Sequence, residues 1–189
     1  MNVYDFDGTI YNGDSTVDFY WYVLKKKPQI IFSLPKQLTG FVLYAFKKID
    51  KTKLKSYFFC FLEKINSEAL VLDFWKIKQN NIYEWYHKQK TPEDVIISAS
   101  PEFLLRPICQ LLGIQCLIAS VVDSKTGVFT GENCYGAEKV RRLYQECGTD
   151  AIDHFYSDSV SDSPLAKLAK RAFYVKKGKL IDWVNVEHR

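Results

Sequence analysis

From Thr91 onward the chain alternates between β-branched apolar runs and stretches of helical period, and several of the runs end at a polar cluster. Residues 94–98 read as a strand. Residues 101–112 read as a helix, with proline in its first turn and Gly113 past its end. Residues 115–122 form a further expected strand, and Gly127 and Gly131 flank a short hairpin. Residues 138–147 read as a helix, 152–156 as a strand, 161–170 as a helix and 172–176 as a strand, with a turn at Lys177 and Gly178 into residues 180–184. One more strand, residues 2–6, opens the chain. Strand–helix–strand alternation of this kind argues an α/β fold with a doubly wound, Rossmann-like parallel sheet. Ligands of such sheets bind beyond the carboxyl ends of the strands.

Between the opening strand and Thr91 the pattern changes. Residues 12–90 place aromatic and aliphatic side chains at helical spacing, such as Phe19, Tyr22 and Val23, or Tyr57, Phe61, Leu62 and Ile65. They read as an all-helical insertion without strands, so the expected division is 1–11 with 91–189 as one unit and 12–90 as the other. Charge follows the same division. The whole chain carries a formal +4. Residues 12–90 hold 14 lysines against 7 acids, and every arginine lies at or beyond Arg106.

Composition removes several classes. Hydrophobic residues make up 47% and charged residues 25%, which excludes disordered and collagen-like chains. The five cysteines include no C-x-x-C pair and the three histidines do not cluster. A disulfide scaffold and a histidine zinc site are therefore not expected, and a reducing, cytoplasmic compartment is. The N-terminus has no basic leader region. The most apolar long window, 29–46, is broken by Pro35, Lys36 and Gln37, which is too polar for a membrane span.

The polar clusters at strand ends carry the chemistry. Asp5 and Asp7, two apart in an extended chain, share a side and repel unless a cation or proton relieves them. A hard divalent ion with oxygen ligands does so, and Mg²⁺ is the expected one. Asp158, after the 152–156 strand, is the candidate third acid, with Asp162 close behind, either at the site or as a helix cap.

Asp5-Phe6-Asp7-Gly8-Thr9 resembles the first signature of the haloacid dehalogenase-like phosphohydrolase superfamily. Ser98 at a strand end resembles the second, Lys139 at a helix start the third, and the run from Ser157-Asp158 to Asp162 the fourth, with serine where glycine is usual. The resemblance spans the chain, and it implies phosphoryl transfer. Asp5 would be the nucleophile that forms an aspartyl-phosphate, and Asp7 the acid and then the base. Metal would bind Asp5, the Asp7 carbonyl and Asp158, with Asp162 orienting Lys139 or a metal-bound water. Ser98 and Ala99 would hold the phosphate, and Lys139 would balance its charge. Asp7 also favours phosphate esters, because the dehalogenases of the superfamily lack this acid.

The insertion resembles the cap of the phosphoserine-phosphatase-like branch. Asp14 stands where that branch places a substrate-gripping glutamate, but residues 12–90 contain no arginine for the substrate carboxylate. A bacterial phosphatidylglycerophosphate phosphatase is the alternative relative. Apolar stretches flanked by lysines 25–27 and by Lys47 and Lys48 suit an anionic phospholipid headgroup or peripheral contact with the inner face of a membrane. A non-catalytic binding module on the same fold is the reading from another class. No nucleic-acid module is visible.

Overall fold

The computed structural model describes residues 1–149 and 151–184. The last residues of the expected 91–189 unit lie outside them. Six strands form one sheet: β1 (Asn2–Tyr4), β2 (Val95–Pro101), β3 (Cys116–Ser120), β4 (Ile152–Ser157), β5 (Ala169–Lys176) and β6 (Lys179–Asp182). Their order is β3-β2-β1-β4-β5-β6, parallel except for the antiparallel β5–β6 pair. The chain reverses direction of travel across the sheet at β1, between β2 and β4. That places a crevice where β1 and β4 end.

Helices cover both faces. On one lie α6 (Glu102–Leu112) and the inserted helices α1 (Ser15–Lys26), α4 (Ser67–Lys78) and α5 (Glu84–Gln89). Their Leu104, Ile108, Phe19, Phe74, Trp75 and Tyr86 share one buried cluster with Tyr4 and Ile96 of the sheet. On the other face, α7 (Ala137–Cys147) and α8 (Ser163–Ala166) bury Leu143 and Leu165 against Val3, Ile97, Ile118 and Phe155. Strand β2 is almost wholly buried, as covering of both faces requires. The remaining inserted helices, α2 (Leu34–Ala45) and α3 (Lys51–Phe58), pack on each other farther from the sheet, joined to α1 and α4 by the 3₁₀ segments Pro28–Ser33 and Phe59–Lys64.

The stem of the insertion is paired backbone. Asn12 N donates to Asn81 O at 2.9 Å and Tyr83 N to Ile10 O at 2.9 Å, around an isolated bridge between Tyr11 and Ile82. The sequence reading had helices alone here. The hairpin at Gly127 is present: Asp123 N donates to Val128 O at 2.9 Å and Thr130 N to Val121 O at 3.0 Å. The helix expected over 161–170 is corrected. A 3₁₀ turn at Val160–Asp162 and one helical turn, α8, take its first half, and Ala169 and Arg171 pair with Ile152 and His154. Ladder bonds with β4 outweigh the helical pattern there, because the crossover has only a short serine-rich segment to span.

Candidate active site

β1 ends at Tyr4, but Asp5 N still donates to Tyr156 O at 2.9 Å, so Asp5 leaves the sheet in a fixed direction. The next residues coil tightly: the Phe6 carbonyl accepts from the N–H groups of Thr9, Ile10 and Tyr11. Gly8, at φ +69°, makes the bend. A Cβ on Gly8 would lie 2.0 Å from Asp158 Oδ2, so the absence of a side chain lets the Asp158 carboxylate sit against this loop. Thr9 closes the junction, its Oγ1 accepting from Asp158 N at 3.0 Å.

Lys139, in the first turn of α7, is buried with its Nζ 2.8 Å from Asp5 Oδ1 and 2.6 Å from Asp162 Oδ2. Ser157 Oγ donates to the same Asp162 oxygen at 2.8 Å. Burial alone would lower the proton affinity of Lys139. The carboxylates of Asp5 and Asp162 reverse this and hold it above the ordinary lysine range. Asp162 precedes α8 but makes no side-chain cap, so of its expected roles, at Lys139, at a metal-bound water or as a helix cap, the Lys139 contact is the one observed. Burial pushes the Asp5 carboxyl up and lifts Asp158 to about 6, the neighbouring Asp5 adding to the latter.

Asp7 points elsewhere. Its Oδ1 accepts from Ser15 N at 2.6 Å, at the first residue of α1, and its Oδ2 from Ser100 Oγ. Burial, helped by the charge of Asp14, raises Asp7 to about 7 despite these donors. Asp14 is the N-cap of α1, its Oδ1 accepting from Val17 N at 3.0 Å, and it also lines the cleft. Ser98, expected at a strand end, lies within β2, where the pairing with β3 shifts register after Ser98↔Ala119. It is buried and its Oγ accepts from Ser100 N at 3.1 Å, which leaves its own proton free to donate. The Ala99 carbonyl accepts from Lys55 Nζ at 2.8 Å and from Ser120 Oγ at 3.0 Å.

Asp5, Asp7, Asp14, Ser98, Ala99, Lys139, Asp158 and Asp162 thus all line one cleft of about 780 Å³ at the carboxyl edge of the sheet. Residues to which the sequence gives no role join them. Ser100 orients Asp7. Lys55 of α3 reaches in and bonds both Ala99 O and Asn133 Oδ1 at 2.8 Å. Lys51 lies one turn before Lys55, its Nζ 3.7 Å from the centre of the Tyr135 ring. Val17, Phe41, Leu54, Phe58 and Phe59 make the opposite wall apolar.

The donor set suits a small hard cation. Among the described residues no three Asp, Glu, His or Cys side chains gather as a metal cluster. With the Asp7 carboxylate turned to Ser15 and Ser100, the side-chain donors are Asp5 and Asp158. Each raises the other's cost of ionisation, and a cation between them would remove that cost.

The sequence profile of the family described as haloacid dehalogenase-like hydrolase matches residues 3–167. The chain belongs to this family. Among curated relatives, a histidinol-phosphatase from Neisseria meningitidis is 32% identical over 94 residues, 43% of this chain and 42% of that protein. A probable phosphatase from Mycobacterium tuberculosis is 30% identical over 96 residues, 47% of this chain and 33% of that protein. The chain therefore spans less than half the length of these relatives. Among solved structures, a protein of unknown function from Bordetella pertussis Tohama I superposes with a TM-score of 0.72 at 19% identity, covering 91% of this chain and 87% of the other. A phosphoserine phosphohydrolase-like protein from Francisella tularensis superposes at 0.55 and 19%, covering 91% and 86%. At such identities the structural matches establish the hydrolase family's fold. No helix among the described residues is long and apolar enough to cross a membrane.

Proposed function

We propose that this family member is a Mg²⁺-dependent phosphomonoesterase that works through an aspartyl-phosphate on Asp5. The observation that carries the reading is the buried Asp5–Lys139–Asp162 chain at 2.8 and 2.6 Å, beside an Asp7 near neutrality in its proton affinity. Asp5 attacks phosphorus, and Lys139 keeps its carboxylate ionised and aligned. Asp7, with an affinity near 7, donates a proton to the departing oxygen and takes one from the water that later hydrolyses the acyl phosphate. Ser98 Oγ and the backbone N–H of Ala99 hold the phosphoryl oxygens. Asp5, Asp158 and the Asp7 carbonyl would hold Mg²⁺, which when bound would supply charge neutralisation for those oxygens. Residues 12–90 act as a cap whose α2 and α3 cover the cleft and exclude water.

The leaving group meets an apolar wall and two lysines. That arrangement disfavours phosphoserine, since Asp14 is engaged in capping α1 and no arginine enters from residues 12–90. A small phosphate ester with an apolar body fits better, and a lipid phosphate such as phosphatidylglycerophosphate is its membrane-surface version. A binding module without turnover would have no need of a buried acid like Asp7, held by Ser15 N and Ser100 Oγ two residues from Asp5.

Release of phosphate from an aryl phosphate tests the reading. We expect turnover with Mg²⁺, loss with EDTA, and at least about a thousandfold loss in Asp5→Asn with an unchanged circular dichroism spectrum. Wild-type rates in Asp5→Asn would overturn the mechanism.

A further inference from the structure

One face of the insertion reverses the usual distribution of apolar side chains. In α2 the buried residues are Gln37 and Gly40. Gln37 Nε2 donates to the Phe58 carbonyl at 2.8 Å and its Oε1 accepts from the Tyr20 hydroxyl at 3.3 Å. Gly40 approaches Tyr57 so closely that a Cβ would lie 2.3 Å from the Tyr57 Cβ. The large apolar residues are outside: Leu34, Leu38, Phe41 and Val42, whose spacing puts them on one stripe. Phe32 before the helix is 75% exposed and Phe46 after it is 74% exposed. A helix facing water normally shows the opposite arrangement. A contiguous exposed patch of this kind marks an interaction surface.

The charge around the patch is mostly positive. Residues 19–49 contain six lysines and no Asp or Glu. Lys25, Lys26 and Lys27 are exposed on one side, and Lys47 and Lys48 on the other. Among the described residues, Lys36 alone of these pairs with an acid, Glu63, at 3.0 Å. Immediately after Phe46, Lys47, Lys48 and Lys53 line a shallow basin of about 770 Å³, with Asp50, the cap of α3, also on its wall. Lys47 is held at φ +54°, a left-handed conformation that glycine adopts more cheaply. The turn itself therefore gains nothing from a lysine there.

We propose that this face docks on an anionic lipid bilayer, with Phe32, Leu38, Val42 and Phe46 entering the headgroup boundary and the lysines meeting the lipid phosphates. A second copy of the chain would set these like charges against each other, and a polyanion without an apolar layer would leave the phenylalanines in water. A bilayer satisfies both features. Phe41 belongs to this stripe and to the cleft wall, so docking brings the cleft mouth to the lipid surface. The inference goes beyond the phosphatase reading, because docking needs no turnover.

Flotation of the full chain with vesicles tests it, using phosphatidylcholine alone and an equimolar mixture with phosphatidylglycerol. The expected result is recovery with the anionic vesicles, weakened by salt, and little with phosphatidylcholine. Lys47→Gly, which relieves the backbone at that turn, should weaken partitioning about fivefold, the effect of one cation at such a surface. Phe32→Ser combined with Phe46→Ser should weaken it more than about tenfold. Both variants should keep wild-type aryl phosphatase turnover and wild-type circular dichroism, so that failure of docking and failure of the phosphatase reading are told apart. The proposal is overturned by equal recovery with both vesicles, by none with the anionic ones, or by variants that bind like wild type. It is also overturned by light scattering that shows a wild-type dimer dissolved by the two serine substitutions, which would assign the face to a second copy.

Discussion

At the residue scale the site rests on one lysine between two acids. Lys139, Asp5 and Asp162 are all buried, with Lys139 donating to both carboxylates. Removing the lysine leaves two buried carboxylates without a cation, so Lys139→Met should lower stability by about 3–5 kcal/mol as well as remove activity. Urea unfolding measures the first, and a loss below about 1 kcal/mol would show that water already screens the pair. Lys55 makes a different prediction. Burial, then the charge of Lys51, lowers it from 10.5 to about 8, against the pull of Asp14 and Asp7. Between those two values the unfolded chain holds a proton that the native chain has released, so this group makes stability rise with pH across that window. The stability difference, wild type minus Lys55→Gln, should therefore grow from pH 8 upward. A difference that stays level with pH would mean that Lys55 titrates as an ordinary lysine.

At the scale of elements, the loop after β3 and the 3₁₀ segment Phe59–Lys64 hold α3 over the sheet edge. Gly127, at φ +75°, lies so near the Phe59 carbonyl that a Cβ would be 2.2 Å from its oxygen. Phe129 N donates to Ser56 Oγ at 3.3 Å and Ser67 Oγ to Ser124 O at 2.8 Å. Gly127→Ala combines a left-handed residue with a backbone clash. It should cost about 2–4 kcal/mol and loosen Lys55 from Asn133; denaturant midpoints check the first and aryl phosphate KM the second. The sequence announced the parts of this arrangement that are local. Asp5 and Asp158 follow strands, Ser98 lies on β2, whose β-branched run is plain, and Lys139 opens a helix closed by Gly148. It placed Ser100 in the polar cluster 98–100 but gave it no role, and it did not announce Asn133 or Lys55 as site residues. Each is an ordinary polar residue in its own segment, and only long-range approach gives it a partner: the loop after β1 brings Asp7 to Ser100, and α3 brings Lys55 to Ala99 and Asn133. The expected helix over 161–170 failed for a related reason: its second half is taken by ladder pairing with β4, a long-range bond that helical periodicity does not register. The outward apolar stripe of α2 was legible as lysine-flanked hydrophobic sequence, but not as a surface until Gln37 and Gly40 were seen to face inward.

At the scale of the whole molecule, the insertion and the sheet unit are separate in sequence but share one interior. Phe6 and Tyr11 stack against each other and each meets Trp75 of α4 edge-on. Trp75 Nε1 donates to the Leu104 carbonyl of α6 at 2.6 Å. Tyr86 of α5 packs edge-on against Tyr4 of β1, which stacks on Tyr156 of β4 at 4.6 Å. Helices α1, α4 and α5 are thus one layer of the sandwich, and removal of residues 12–90 would expose Tyr4, Phe6, Ile96, Leu104 and Ile108 together. Exposure of that much apolar surface, at roughly 25 cal/mol per Å², is more than a domain of marginal stability tolerates. The insertion should therefore not unfold as an independent unit. Far-UV circular dichroism, which weighs the helices, and fluorescence from Trp183 beyond β6, read in a variant with Trp21, Trp75 and Trp85 of the insertion replaced by Phe, should follow a single denaturant transition. A first transition that removes helical signal while Trp183 stays native would show that the aromatic contacts across the stem contribute little, and that the helices fold on their own.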